Sequence, residues 1–371
     1  MLRPIQIIAS SRAEDNSGIV EIKADVGTID PPKMKRLRIP DLLKGLAILF
    51  MIQVHIMELF IDYAGRESIV GKVSLFLGGP FTAMVFMIVM GYFVAKSQKT
   101  TMRTLLRGVK IFVLGFFLNI GLNFHLLLKI KYAGWPYNPL EYIFGVDILY
   151  LAGLSIILLS LLKLIKKYQV IVSLLLLLSV LLLSGPVNEM LTFPERNYIT
   201  PFIGGNYSWS YFPLFPWLAY PLAGYFFFFA EDSIKQFVSR KKEWAISVFV
   251  LLVAAVICFS KMGFNISVDL PAYYHHGFKY GFWALGLLII WTTIFYLLVK
   301  KFRLSRIEQF LAWMGKNITL LYVVQWLIIG NIATAIYQTQ ALNRFPLWFF
   351  GILFVSLILS WLLAKTKIKL A

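Results

Sequence analysis

The chain has 371 residues, 59% of them hydrophobic and only 15% charged, and its mean hydropathy is +0.75. A soluble domain carries about a quarter charged residues, so this composition excludes a water-covered globule and points to the lipid bilayer as the partner. The net charge of +18 would suit nucleic acid, but the basic residues gather in alternate loops, which is the pattern of membrane orientation and argues against a nucleic-acid partner.

Residues 1–32 mix Ser, Asp, Glu and Gly without an apolar stretch long enough for a signal-peptide core, and read as a mobile cytoplasmic tail. Residues 33–371 read as one transmembrane domain. A span needs about 20 mostly apolar residues. Ten stretches meet that need: 39–60, 75–95, 105–123, 145–162, 168–185, 211–230, 243–261, 280–299, 312–333 and 346–364. The expected fold is an all-α integral membrane protein, a polytopic bundle of about ten transmembrane helices. Lysine and arginine crowd the loops at 33–38, 96–110, 163–167, 235–242, 300–306 and 365–369. That bias puts these loops, and both termini, in the cytoplasm. No repeat suggests a solenoid. The single cysteine, Cys258, lies in an apolar run and excludes an intramolecular disulfide framework or a cysteine zinc site.

The first span, "IPDLLKGLAILFMIQVHIMELFID" (39–62), carries Asp41, Lys44, His55, Glu58 and Asp62. On one helix at 100° per residue, with Lys44 at zero, His55 falls at about 20°, Glu58 at about −40°, Asp62 at about 0° and Asp41 at about 60°. Five ionisable groups therefore share one arc, with Leu46, Leu49, Phe50 and Ile56 opposite and Gln53 as the polar exception. Charge facing lipid is costly, so the stripe is expected to face the protein interior or a wet cavity. Asp41 and Lys44 could simply pair near one end, and Glu58 and Asp62 could face water at the other. His55 lies about 16 Å along the axis from Lys44. A carboxylate one turn away, Glu58, could orient its imidazole and raise its basicity, as a general base requires.

Further along, Arg103, Arg107 and Lys110 share one helical face at i, i+4 and i+7. The same charges would anchor the membrane orientation. Asn119 and Asn123 close the third span, Asp147 opens the fourth, where it could cap the helix, and Gln325 lies in the ninth. The stretch 124–144 is amphipathic. His125 sits at a span boundary. His275 and His276 lie in a polar loop, and adjacent histidines diverge too far to share a metal without further ligands, so no metal is expected. "WPYNP" (135–139) and "FPLFPW" (212–217) read as interfacial aromatic anchors and helix breaks.

"RIPDLLKGLAILFMIQVH" places a basic residue, Lys44-Gly45, ten residues before His55. This resembles the opening of membrane acyltransferases of the type 3 family. It is also similar to the Asp-x-x-Arg-Gly opening of the bacterial branch of the heparan-alpha-glucosaminide N-acetyltransferase family, with Asp41 and Gly45 matching and Lys44 in place of arginine. "GGPFTAMVFMIVMGYFVAK" (78–96), "LLRGVKIFVLGFFLNIG" (105–121), "VDILYLAGLSIILLSLL" (146–162), "FPLFPWLAYPLAGYFF" (212–227) and "LAWMGKNITLLYVVQW" (311–326) look like that branch's later landmarks in order. "DYAGRESIVG" (62–71) holds no histidine, so His55 would take the base role as in the type 3 family.

The resemblance implies transfer of an acetyl or other acyl group from cytoplasmic acyl-CoA to a sugar or amino-sugar acceptor across a bacterial inner membrane. His55 would be the base and Glu58 its orienting carboxylate. Lys44, Arg103, Arg107 and Lys110 would face the anionic acyl-CoA. Asp62 and Asp147 would bind the acceptor, and Asn119 and Gln325 would hold the acceptor or the developing oxyanion. Acetyl-CoA would be a co-substrate, and the reading leaves room for a homodimer. The alternative is a proton-coupled transporter or glycan-lipid flippase that uses the His55–Glu58 stripe.

Overall fold

The computed structural model describes residues 38–366 apart from 166, 196 and 303–304, and the tail expected over 1–32 lies outside the described residues. The described chain is helical throughout, with two isolated bridges, Ile61 to Gln340 and Val146 to Ser210. It opens with α1 (Arg38–Leu59), α2 (Tyr63–Glu67) and α3 (Ile69–Gly78). Asp62 caps α2 and Ser68 caps α3, each side chain accepting from a backbone N–H three residues on. At Gly78-Gly79-Pro80 the ladder loses a donor. The chain passes through a π turn, Gly79–Met84, into α4 (Val85–Lys96).

Next come α5 (Thr101–Leu122), α6 (Phe124–Ala133), α7 (Pro139–Ile143) and α8 (Ile148–Leu162). α9 (Gln169–Leu182) bends by 57° into α10 (Ser184–Met190). α11 (Leu214–Trp217) leads into α12 (Ala219–Arg240). α13 (Lys242–Cys258) bends by 56° into α14 (Ser260–Val268). The chain ends with α15 (Leu270–Tyr274), α16 (Phe278–Lys301), α17 (Ser305–Lys316), α18 (Ile318–Ile336) and α19 (Phe345–Lys365).

By length and apolarity 6 helices among the described residues can cross a membrane, and 8 if each bent pair is one span. The expected spans differ from these for local reasons. α8 is apolar but has only 15 residues. α12 turns polar at Glu231, so only its first half is lipid-compatible. The stretch 312–333 is divided at Asn317, whose side-chain amide donates back to the Trp313 carbonyl at 2.9 Å. The polar loops at 186–210 and 262–279 contain α10, α14 and α15.

Lipid chains are as apolar as leucine, so helices in a membrane associate through close packing and small residues. Two reciprocal glycine contacts show this. A Cβ on Gly91 of α4 would lie 1.9 Å from the Pro221 carbonyl oxygen of α12, and one on Gly224 of α12 would lie 1.8 Å from the Ile88 oxygen of α4. Likewise a Cβ on Gly45 of α1 would lie 2.1 Å from the Leu311 oxygen of α17, and one on Gly315 of α17 would lie 1.8 Å from the Asp41 oxygen. Gly45, in the Lys44-Gly45 pair, is therefore a backbone docking point.

These contacts lie toward one end of the bundle. There Lys44 stands 5.3 Å from the centre of the Phe93 ring, and Lys163 donates to the Ser97 carbonyl at 2.9 Å, joining the end of α8 to the end of α4. We call this the basic end. At the opposite end Asn119 of α5 donates to the Ile143 and Gly145 carbonyls, at 3.1 and 2.7 Å.

Candidate active site

The polar residues of α1 divide between these two ends. Near its start Lys44 pairs with Asp41 at 2.9 Å, and both side chains are largely buried. Gln53, on the face read as apolar, donates to the Ser74 carbonyl at 2.9 Å and accepts from the Ser74 hydroxyl, tying α1 to α3. His55 and Glu58 come in the last turns before Leu59.

His55 and Glu58 line a cavity of about 50 Å³. Its walls come from α1, α3 and the π turn, the start of α8, the α14–α15 segment, and α18. Asp147 and Tyr322 complete its polar lining together with Thr82, Ser267, Tyr273 and Tyr274, while Met51, Val54, Leu75 and Phe212 make it apolar between them. A mostly apolar hollow with a few convergent polar groups is the usual form of a small-molecule site. Tyr211 and Tyr274 lie within electrostatic reach of both carboxylates, Glu58 and Asp147.

The His55 imidazole packs against Trp326 of α18, with ring centroids 4.0 Å apart and planes tilted by 35°. Gln325 of α18, fully buried, lies close to the imidazole. Glu58, which the sequence reading makes the orienting carboxylate for His55, lines the same cavity. The two residues are one turn apart but about 60° apart around the axis, and the cation whose charge acts on Glu58 is Arg66.

Asp147 is held from several sides. As the N-cap of α8 it accepts from the Ile148 N–H at 2.7 Å, and its second oxygen accepts from the Tyr322 hydroxyl at 2.5 Å. Its neighbour Val146 donates to the Trp209 carbonyl at 2.7 Å and accepts from the N–H groups of Tyr211 and Phe212. Asn119 fixes the preceding residues, so it supports Asp147 from behind and does not line the cavity. Replacing Tyr322 by Phe leaves one oxygen of a buried carboxylate without its donor. We expect a loss of about 1–3 kcal/mol, read as a lower thermal midpoint in detergent. Combining it with Asp147→Asn should cost less than the sum of the two single changes.

The wall of tyrosines at 273–274 is fastened to α11 and α12. Trp217 donates its indole N–H to the Tyr274 carbonyl at 2.8 Å. His276 lies 2.7 Å from the Tyr273 carbonyl through Nδ1 and 2.7 Å from the Tyr220 hydroxyl through Nε2. A carbonyl can only accept, so Nδ1 carries the proton and the tyrosine hydroxyl donates to Nε2. Burial pushes the pKa of this imidazole down to about 3 and keeps it neutral. His276 is thus a staple for the wall, and His275 beside it is half-buried.

The remaining residues singled out from the sequence stand elsewhere. Arg103, Arg107 and Lys110 lie on an exposed face of α5 at the basic end, about 24 Å along the helix from Asn119 in the case of Arg103. Lys44 is at that end too. Asp62 does not continue the stripe, because α1 stops at Leu59. It accepts from the Gly65 N–H at 2.8 Å. The sequence reading missed Tyr322, Trp326, Thr82, Tyr273 and Tyr274. A signal existed for the first two: Tyr322, Gln325 and Trp326 are spaced i, i+3 and i+4 and so share one face of α18.

The fold and cavity define a polytopic helical membrane protein with a histidine and two carboxylates around one hollow. Residues 37–365 match the model of a known family, acyltransferase 3, described as an acyltransferase domain. The match covers most of the chain, and the chain belongs to that family of membrane acyltransferases. No curated protein and no solved structure gives a significant match.

Proposed function

We propose that the protein transfers an acetyl or similar acyl group from acyl-CoA to a sugar or amino-sugar acceptor, with His55 as the general base. The observation that carries this reading is the cavity: in a chain of an acyltransferase family it brings the His55 imidazole together with Glu58 and Asp147. The acceptor hydroxyl or amine gives its proton to the free imidazole nitrogen as its oxygen or nitrogen attacks the thioester carbon. The carbon–sulfur bond breaks, and the CoA thiolate leaves and recovers the proton from the imidazolium. Gln325, beside His55, supplies an amide donor for the oxyanion. Asp147, Glu58 and the tyrosine wall bind acceptor hydroxyls or an amino group.

In this reading the basic end faces the cytoplasm, as its lysines and arginines favour, and the cavity end faces the other side of a bacterial inner membrane. Both termini are then cytoplasmic. Arg103, Arg107 and Lys110 offer their exposed face to the phosphates of the donor. Lys44 holds Asp41 and stands nearest α1's path from that face to His55. The resemblance to the bacterial branch of the heparan-alpha-glucosaminide N-acetyltransferase family supports an amino sugar as the acceptor.

The test is acetyl transfer by the purified full-length protein in detergent, with radiolabelled acetyl-CoA and glucosamine, glucose or N-acetylglucosamine. The expected result is label in the sugar, saturable in both substrates. Release of CoA without label in any sugar would remove the sugar acceptor from the proposal. No consumption of acetyl-CoA by a folded preparation would overturn the donor as well.

A further inference from the structure

The end of α1 that carries Glu58 is not finished by its own chain. The last carbonyls of a helix have no partner within it. Here they are met by a segment some 280 residues away in sequence. The Gln338 N–H donates to the Leu59 carbonyl at 2.9 Å, and the Gln340 N–H donates to the Phe60 carbonyl at 2.9 Å. The Asp62 N–H then returns a bond to the Gln340 carbonyl at 2.9 Å. Gln338 adds its side chain: Nε2 donates to the carbonyl of Glu58 itself at 3.2 Å.

Two features mark this junction as more than a loop contact. Gln338 has φ 53°, in the left-handed region where residues other than glycine are uncommon. Such backbone strain persists only where its surroundings hold it, and it concentrates at functional sites. The second feature is Arg66. Its guanidinium donates through Nη2 to Gln338 Oε1 at 2.9 Å. Because arginine only donates, this contact fixes the amide with its oxygen toward Arg66 and its nitrogen toward Glu58. The same guanidinium acts electrostatically on the Glu58 carboxylate and on Tyr337.

We propose that Arg66 and Gln338 form a clamp that fixes the position of Glu58 in the cavity, with Arg66 as a positioning residue for acceptor binding. The clamp holds Glu58 at both ends: the amide holds its main chain and the guanidinium attracts its side chain. Its bearing on the acceptor rests on the proposed acyl transfer; the clamp itself does not.

The test has two measurements on the full-length protein in detergent, with Arg66→Gln, Arg66→Lys and Gln338→Ala beside the wild type. Amide exchange by mass spectrometry reads the clamp directly. Exchange across 58–62 and 338–342 should quicken about tenfold in Arg66→Gln and in Gln338→Ala, the size expected for a lost hydrogen bond to a charged group. Gln338→Ala removes the side chain without relieving the left-handed backbone. Unchanged exchange there in both variants, or an equal rise across the whole chain, overturns the clamp. Steady-state kinetics with acetyl-CoA and glucosamine reads the consequence. Arg66→Gln should raise the KM for glucosamine about tenfold, leave the KM for acetyl-CoA unchanged and alter kcat by less than about threefold. Arg66→Lys should recover part of the loss, since it keeps the charge but not the planar fork. A fall in kcat with no change in the glucosamine KM overturns the positioning role. If the wild type transfers nothing to glucosamine, that failure belongs to the acyl-transfer reading, and amide exchange still decides the clamp.

Discussion

His55→Ala should lower acyl transfer by about 10²–10⁴-fold, the range that a positioned general base contributes. The effect should fall on kcat, because the imidazole acts on a proton in flight and gives little binding in the ground state. Structural damage is not the expected cause. His55 is only partly buried and lines the cavity, its ring partner is Trp326, and the apolar residues around it on α1, Ile52, Ile56 and Met57, are fully buried. Alanine is also a good helix former. Acetyl-CoA turnover with an acceptor, measured beside the thermal midpoint, separates the two causes. Loss of turnover at an unchanged midpoint supports the base. Retained turnover at a tenth of the wild-type rate or more would move the proton transfer to another group, with Glu58 and Asp147 as the nearest candidates.

Gly224→Ala should be among the most destabilising single changes the fold permits, at about 3 kcal/mol or more. The added methyl would meet the Ile88 carbonyl oxygen at 1.8 Å, with the Ile88 carbon and Tyr92 nitrogen close behind. Every one of these is a backbone atom, so no rotamer change makes room. α4 and α12 would have to part, and with them the contact of Gly91 against Pro221. Gly351→Ala is the control, because nothing lies within 4 Å of the position its methyl would occupy. That change should be neutral or slightly stabilising, through helix propensity alone. Similar thermal midpoints for the two variants would contradict the close crossing of α4 and α12.

How much of this was legible in the sequence depends on the range of the interaction concerned. Apolar runs were visible directly, and each of the ten stretches read as a span carries a helix. The shared arc of His55 and Glu58 followed from helical periodicity, and the structure sets both in one cavity. Asp147 was visible as an acidic residue at the start of a span. What could not be read was anything settled by distant partners. Asp62 leaves the helical stripe because α1 ends at Leu59, where Gln338 and Gln340 bond the Leu59 and Phe60 carbonyls. Gln325 comes close to His55 because α18 packs beside it. Tyr322 and Trp326 looked like ordinary span aromatics until the bundle placed them against Asp147 and His55. The start of the second span reads as apolar sequence, and only the packed structure shows that Gly79, Thr82 and Ala83 line the cavity.

The reciprocal glycine crossings at the basic end have a mechanical consequence. Where two backbones touch without side chains between them, nothing can rotate aside. The contact is either made or lost. That half of the molecule therefore behaves as a hinge-free root. The cavity half, walled by tyrosine, methionine and leucine side chains, can reshape itself by changing rotamers while its helices stay in place.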